Sequence, residues 1–302
     1  MGYLLLAIIC SSSIAIIFKF SETNNLNRYA VTTMNYFTAF IVSLILSIVE
    51  GNIILQGYDN FFYEFKDVVL KGNGLFSPSS SFIWAIIVGI FAGVFFFLSF
   101  VYYQISVKKN NVGLAGTFAK LGILVPMSFS IVLWREFPTY IQWIGIILSL
   151  TSIIIVNISF KKNQIKDIHI NLILLFLFGG FAEFSNKIFQ KYAISEYKSI
   201  FLFFVFFIAF IISLIMTLKR KKKVTKVDLI TGILVGIPNL FSSFFLILAL
   251  NHMKTSVVFP IYSAGSIIII TLVGTLFLGE KLKRKEIIAI FMTIVALILI
   301  NL

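Results

Sequence analysis

The chain is poor in charge. Only 12% of its 302 residues are Asp, Glu, Lys or Arg, against 59% hydrophobic residues. A soluble domain carries about a quarter charged residues. The polar groups present are too few to clothe a water-facing surface, which excludes a soluble helical protein with a large core. Cysteine is nearly absent: Cys10 is the one copy, it lies in an apolar run, and it excludes an intrachain disulfide. The two histidines, His169 and His252, lie at the ends of apolar runs, so no Cys/His spacing offers a metal site. No aspartate and no histidine falls inside an apolar run. That removes the Asp dyads, Ser/His pairs and His/Glu metal sets on which an intramembrane enzyme relies. A nucleotide-binding motif is also missing, which argues against an ATP-driven pump. The expectation is a non-enzyme with no cofactor and no metal.

What the chain has is hydrophobicity in long runs, with a mean hydropathy of +1.02. The runs fall at 2–20, 28–49, 82–104, 112–134, 139–157, 169–190, 198–218, 229–251, 255–278 and 284–301. Each is long enough to cross a hydrocarbon core of about 30 Å as a helix. The sequence therefore predicts an all-α integral membrane protein of about ten transmembrane helices, held among membrane lipids. The start, Met1-Gly2-Tyr3, lacks the basic flank of a signal peptide, and Phe18-Lys19-Phe20 is a poor cleavage site. The first run is read as a retained span.

The formal net charge of +13 comes from basic residues in the short connections, which points to membrane orientation and not to nucleic acid. The odd-numbered connections hold 16 Lys or Arg, among them Lys108, Lys161, Lys222 and Lys281; the even-numbered ones hold 6. Positive residues concentrate on the cytoplasmic side. This places both termini outside the cytoplasm, in a cell (plasma or inner) membrane. One connection, residues 50–81, is long. It mixes Asp59, Glu64, Lys66, Asp67 and Lys71 with Phe61, Phe62, Tyr63 and Phe65. Such a mixture suits a short amphipathic helix at the membrane surface.

The runs repeat. Residues 100–157 laid over 244–301 put Phe100 on Phe244, Glu136 on Glu280 and Asn157 on Asn301. With the shift changed by one residue upstream, Gly89 and Gly93 fall on Gly232 and Gly236. Small residues four apart let helix backbones approach closely. Five spans per half is an odd number, so residues 1–160 and 161–302 form two five-helix repeats of inverted orientation. Inverted repeats typify secondary transporters.

The stretch Thr255–Ile300 carries Phe259-Pro260, then Leu278-Gly279-Glu280-Lys281-Leu282, then an aliphatic last run, with Trp134-Arg135-Glu136 as a looser copy in the first half. Here the chain resembles the drug/metabolite transporter superfamily in its ten-span form with two EamA-type domains. The resemblance implies the fold and a transport role, and leaves the substrate open.

Ionisable groups deep in a membrane helix cost several kcal/mol and normally face a cavity or a partner. Lys120 and Glu183 are two such groups. The functional reading gives Lys120 an anionic substrate group, and Glu183 a cationic group or a coupling proton. The alternatives are a buried ion pair that fixes packing, or a pair between Glu183 and Lys187 one turn on. Lys187 and Lys19, near span ends, are read as snorkelling to the headgroups. Asn239 follows Pro238 and can fill the gap a proline leaves in helix hydrogen bonding. Asn35, Tyr36, Asn186 and Tyr262 complete the substrate-binding candidates. Glu136 and Glu280, at tight turns, are expected to accept hydrogen bonds from the start of the next helix. The sequence thus points to a secondary transporter, monomeric or homodimeric, that moves a small polar metabolite by alternating access. One cation and one anion at depth suit a zwitterion such as an amino acid, or an amine. The competing class is a non-transporting membrane scaffold or receptor-like protein.

Overall fold

The computed structural model describes residues 1–51, 60–109, 112–157, 170–220, 223–278 and 284–301. Asp59, Lys161, Lys162, Lys166, His169, Lys221, Lys222 and the Gly279-Glu280-Lys281-Leu282 motif lie outside the described residues. Every regular element among those described is helical. Lipid offers no water to backbone N–H and C=O groups, so a long apolar run takes the one local structure that satisfies them internally.

The helices are α1 (Gly2–Thr23), α2 (Arg28–Val49), α3 (Phe61–Glu64, continued by a π-helical turn over Phe65–Leu70), α4 (Pro78–Lys109), α5 (Val112–Leu121), α6 (Leu124–Trp134), α7 (Tyr140–Asn157), α8 (Ile170–Tyr192), α9 (Lys198–Lys219), α10 (Lys226–Leu250), α11 (Thr255–Leu278) and α12 (Arg284–Asn301). Among the described residues, seven helical stretches are long and apolar enough to cross a membrane. They are Gly2–Ser21, Arg28–Val49, Pro78–Ser106, Ile170–Tyr192, Ser195–Lys219, Lys226–Leu250 and Thr255–Gly274. Phe118–Trp134, Tyr140–Ile155 and Ile287–Ile300 are apolar but shorter. The protein is a multi-pass membrane protein. The run expected at 112–134 is interrupted, because α5 stops at Leu121 and α6 starts at Leu124. Pro126 has no N–H to give Gly122; Val125 N donates to the Gly122 carbonyl instead, at 2.9 Å, in a tighter turn.

The chain forms two compact units, one of residues 1–97 and 185–251, the other of residues 98–184 and 252–302. Each draws on both sequence halves.

In the first unit α2 runs antiparallel to α9. Lys198 Nζ meets Glu50 Oε1 at 3.2 Å at one end, and the Thr33 and Thr217 hydroxyls meet at 2.9 Å toward the other. α10 runs parallel to α2. Asp228, closed in a capping box with Thr225, also accepts from Asn27 N at 2.8 Å, tying the two helix starts together. The paired glycines make matched contacts. A Cβ on Gly89 would stand 2.9 Å from Phe201 O, and one on Gly93 2.5 Å from Val205 O. A Cβ on Gly232 would stand 2.6 Å from Val31 O, and one on Gly236 2.6 Å from Asn35 O. In each case the glycines and their partners are both four residues apart, so α4 lies on α9 as α10 lies on α2.

The 60–77 segment belongs to this unit. Asn60 caps α3, and Phe61, Phe65 and Phe76 cluster on Trp84. Phe62 and Tyr63 remain exposed. Glu64 Oε2 accepts from Ser77 N at 2.9 Å and closes the segment just before Pro78 starts α4.

In the second unit α7 packs on α12. A Cβ on Gly145 would stand 2.9 Å from Ala296 O, and Thr293 Oγ1 bonds Ser152 Oγ at 2.8 Å. Arg135 ends α6 in the left-handed region, at φ 54°. The chain then turns so that Glu136 Oε2 accepts from Thr255 N at 2.9 Å. Glu136 therefore serves the start of α11. The α7 start is served locally, by Thr139 and Gln142 bonding each other's backbone N–H.

Candidate functional site

The break between α5 and α6 lies against two glycines. Gly122 lies against α8, where a Cβ would stand 3.1 Å from Gly180 N and 3.2 Å from Phe176 O. Gly180 in turn leaves no room for a Cβ beside Val125, and its own would stand 2.6 Å from Gly122 O. The two backbones touch because neither has a side chain to hold them apart. Gly179 faces Ser99 of α4, 3.2 Å from a Cβ to Oγ, and Tyr102 lies against Phe178 at 5.4 Å between ring centroids. The α5–α6 break thus meets α8 backbone to backbone, and α4 meets it through side chains.

Lys120 occupies the last turn of α5, two residues before this contact. Glu183 lies three residues after Gly180 on α8. Both side chains are half-buried, and Glu183 is near enough for its charge to act on the Lys120 ammonium. An ammonium at the C-terminal end of a helix also meets the negative end of the helix dipole. The second unit therefore holds a cation and an anion beside an interrupted helix. Tyr262, also in this unit, is buried in α11, where its carbonyl accepts from Ser266 Oγ at 2.7 Å.

The other candidates lie in the first unit. Asn239 Nδ2 donates to Asn35 Oδ1 at 3.0 Å, so the two amides that the sequence picked separately are one pair. Asn239 thus spends its amide on α2. Tyr36 is buried, reaches the Phe96 carbonyl with its hydroxyl at 3.5 Å, and stacks on Phe206 at 6.3 Å. Asn186 is fully buried in α8.

Lys187 departs from the sequence reading. It is 3% exposed and donates to Gln190 Oε1 at 3.0 Å, so it does not snorkel. Its helix position decides this. The face that carries Asn186 and Lys187 is turned inward, on a helix whose Ile188 carbonyl takes the Trp84 indole N–H of α4 at 3.5 Å. Lys19, by contrast, is exposed. The signal available in the sequence was the spacing of Glu183, Asn186, Lys187 and Gln190, which puts four polar groups on one helix face. Gln104 was also passed over: its Nε2 is buried and has no hydrogen-bond acceptor among the described residues. Buried amides normally have a partner.

Comparison with known proteins decides the family. The model of the EamA-like transporter family matches residues 1–158 and again 170–302. The chain belongs to the EamA-like transporter family. The two matches fall on the two halves that the internal repeat delimits, and the family lies within the drug/metabolite transporter superfamily that the Phe259-Pro260 and Leu278–Leu282 stretch resembles. One crystal structure, of a protein whose description names no activity, aligns with this EamA-like chain at a TM-score of 0.70. The alignment covers 98% of this chain and 94% of the other at 14% identity. It is a likeness of fold alone. No curated protein matches the sequence.

Proposed function

We propose that this EamA-like protein is a secondary transporter that moves a small polar metabolite across the cell (plasma or inner) membrane by alternating access. The observation that carries the reading is the interrupted helix at Lys120, packed glycine to glycine on α8 with Glu183 one turn away. Discontinuous membrane helices at the repeat interface are where transporters of this construction hold substrate. An unbroken apolar helix without charge would serve a scaffold equally well, and this stretch is neither unbroken nor uncharged.

The inverted repeat is part of the proposal. The matched register of Gly89 and Gly93 on α9 with Gly232 and Gly236 on α2 supports it, as does the family match to each half. In this reading about ten spans form two five-helix repeats, with both termini outside the cytoplasm as the charge bias requires. Lys120 holds an acidic group of the solute; Glu183 holds an amine or carries a coupling proton. Amino acids, other zwitterions and amines are the solutes that one cation and one anion suit.

The test is uptake of labelled solutes into proteoliposomes with and without a proton gradient. Lys120→Ala and Glu183→Gln should each abolish transport, with and without the gradient. Unchanged transport in both variants sinks the site and leaves the transporter reading standing.

A further inference from the structure

The 60–77 segment turns large apolar side chains away from the protein. Phe61 stacks on Phe76, Phe65 lies against Trp84, and Val68 is buried. The other side carries Phe62, Tyr63 and Leu70, which are 78%, 72% and 71% exposed. Lys66, also exposed, falls between them, four residues after Phe62 and four before Leu70. Side chains spaced three and four apart share one side of a helix. The two carboxylates of residues 60–77 are engaged within the segment. Asp67 takes the Lys71 ammonium at 3.2 Å and the Asn73 amide at 3.1 Å, and Glu64 takes Ser77 N at 2.9 Å. The exposed side is therefore apolar, with one ammonium in its middle.

The level of this face follows from α4. The span Pro78–Ser106 has 29 residues, about 44 Å of helix against a hydrocarbon core of about 30 Å. The surplus, shared between the ends, carries about 7 Å of each beyond the hydrocarbon. Trp84 lies six residues after Pro78, about 9 Å along the helix, where hydrocarbon gives way to headgroups. Trp and Tyr favour that level. Trp84 meets Tyr192 there at 6.0 Å between ring centroids, and Phe82 meets Tyr197 at 6.3 Å. The segment is fixed at this level: Phe65 reaches the Trp84 ring, and Phe76 N donates to the Tyr192 carbonyl at 2.9 Å. An apolar face held there meets lipid, and a lysine stem on it can bring its ammonium to the phosphates. Helices of this make-up lie in the membrane plane with the apolar face about 5–10 Å into the boundary between headgroups and acyl chains. We infer that residues 61–70 are an interfacial anchor whose Phe62, Tyr63 and Leu70 insert into the phospholipid leaflet that α4 enters.

The experiment reads depth in the full-length chain, held in nanodiscs of phosphatidylcholine and phosphatidylglycerol. In a Cys10→Ser background, Phe62→Cys, Leu70→Cys, Asn24→Cys and Phe91→Cys each carry an environment-sensitive fluorophore. Asn24 is exposed in the connection between α1 and α2. Phe91, 63% exposed, lies midway along the Pro78–Ser106 span. All four sites are exposed, so the labels displace no core packing. The labels at 62 and 70 should be quenched about twice as strongly by a nitroxide at the top of the lipid acyl chain as by one near its end. Aqueous iodide should reach them poorly. The label at 91 should respond more to the deep nitroxide, and the label at 24 to iodide alone. Adding Phe62→Asp to the label at 70 should cut its shallow-nitroxide quenching by about half, whereas Phe62→Leu should preserve it. Iodide quenching at 62 and 70 equal to that at 24 would place the face in water and overturn the anchor. A nitroxide profile matching that at 91 would place it in the hydrocarbon and do the same. An unchanged profile in Phe62→Asp would also overturn it, because insertion would then not depend on the face assigned to it.

Discussion

Asn239 donates its side-chain amide to Asn35 Oδ1 across 3.0 Å, between two parallel helices that come from opposite halves of the chain. Asn35 is buried, and its own carbonyl lies where a Cβ on Gly236 would meet it. One residue of α2 therefore meets α10 through both backbone and side chain.

That pair sets up the first prediction. Asn35→Ala and Asn239→Ala should each lower the melting temperature of the purified protein, and the double variant should lose little more than either single one. A double-mutant cycle should return a coupling of about 0.5–1.5 kcal/mol, the range for amides bonded between membrane helices. Additive losses would mean the two amides act apart.

The glycine contacts make a stronger demand. Gly93→Val and Gly236→Val each drive a side chain into a carbonyl of the facing helix, Val205 O and Asn35 O. Each should destabilise the protein by about 1–3 kcal/mol or prevent its folding. Gly2→Ala, with nothing within 4 Å of the new atom, should leave the melting curve in place. Equal tolerance at all three positions would contradict the close packing of α4 on α9 and of α10 on α2.

Glu136 should behave as a helix cap supplied from a distance. Its carboxylate takes the first N–H of α11, so Glu136→Ala should cost about 1 kcal/mol. Hydrogen exchange should rise at the start of α11 and stay unchanged at the start of α7, which Thr139 and Gln142 hold. Exchange that rises at α7 instead would refute the assignment.

Acid should loosen the surface segment. Hydrogen bonds from Asn73 at 3.1 Å and Lys71 at 3.2 Å hold the Asp67 carboxyl below its ordinary value of 3.8. A lowered folded value means the carboxylate stabilises the fold above the ordinary value and ceases to do so as pH falls through the folded one. Amide protection over residues 67–73 should stay flat from neutral pH to about 5 and drop only below 3.8. In Asp67→Asn it should be flat throughout. A drop near neutral pH would assign the effect to another group.

The surface segment also shows what composition alone conveys. Phe61, Phe65 and Phe76, three of the five aromatics in residues 60–77, cluster on Trp84. The exposed Phe62 and Tyr63 fit the amphipathic reading made from the residue mixture. What the mixture did not convey is the π-helical turn over Phe65–Leu70.

Hydropathy by itself determined that the chain is helical and crosses a membrane, because in lipid a helix is the local solution that leaves no backbone group unpaired. The sequence also lets Gly89-xxx-Gly93 and Gly232-xxx-Gly236 be aligned without knowing what they touch, which is the register the proposed repeat rests on. Only the tertiary structure decided the rest. It set α4 on α9 and α10 on α2, joined Asn35 to Asn239, sent Glu136 to α11, interrupted the fourth run beside Lys120 and turned Lys187 inward. Each of these depends on which face of one helix meets which face of another. Residues far apart in the chain settle that by fitting together, and no window of neighbouring residues contains the information. The fourth run is the clearest case. Its hydropathy is that of a continuous span, yet one helix ends and another starts where Gly122 meets Gly180, with Pro126 withholding its N–H, two residues after Lys120.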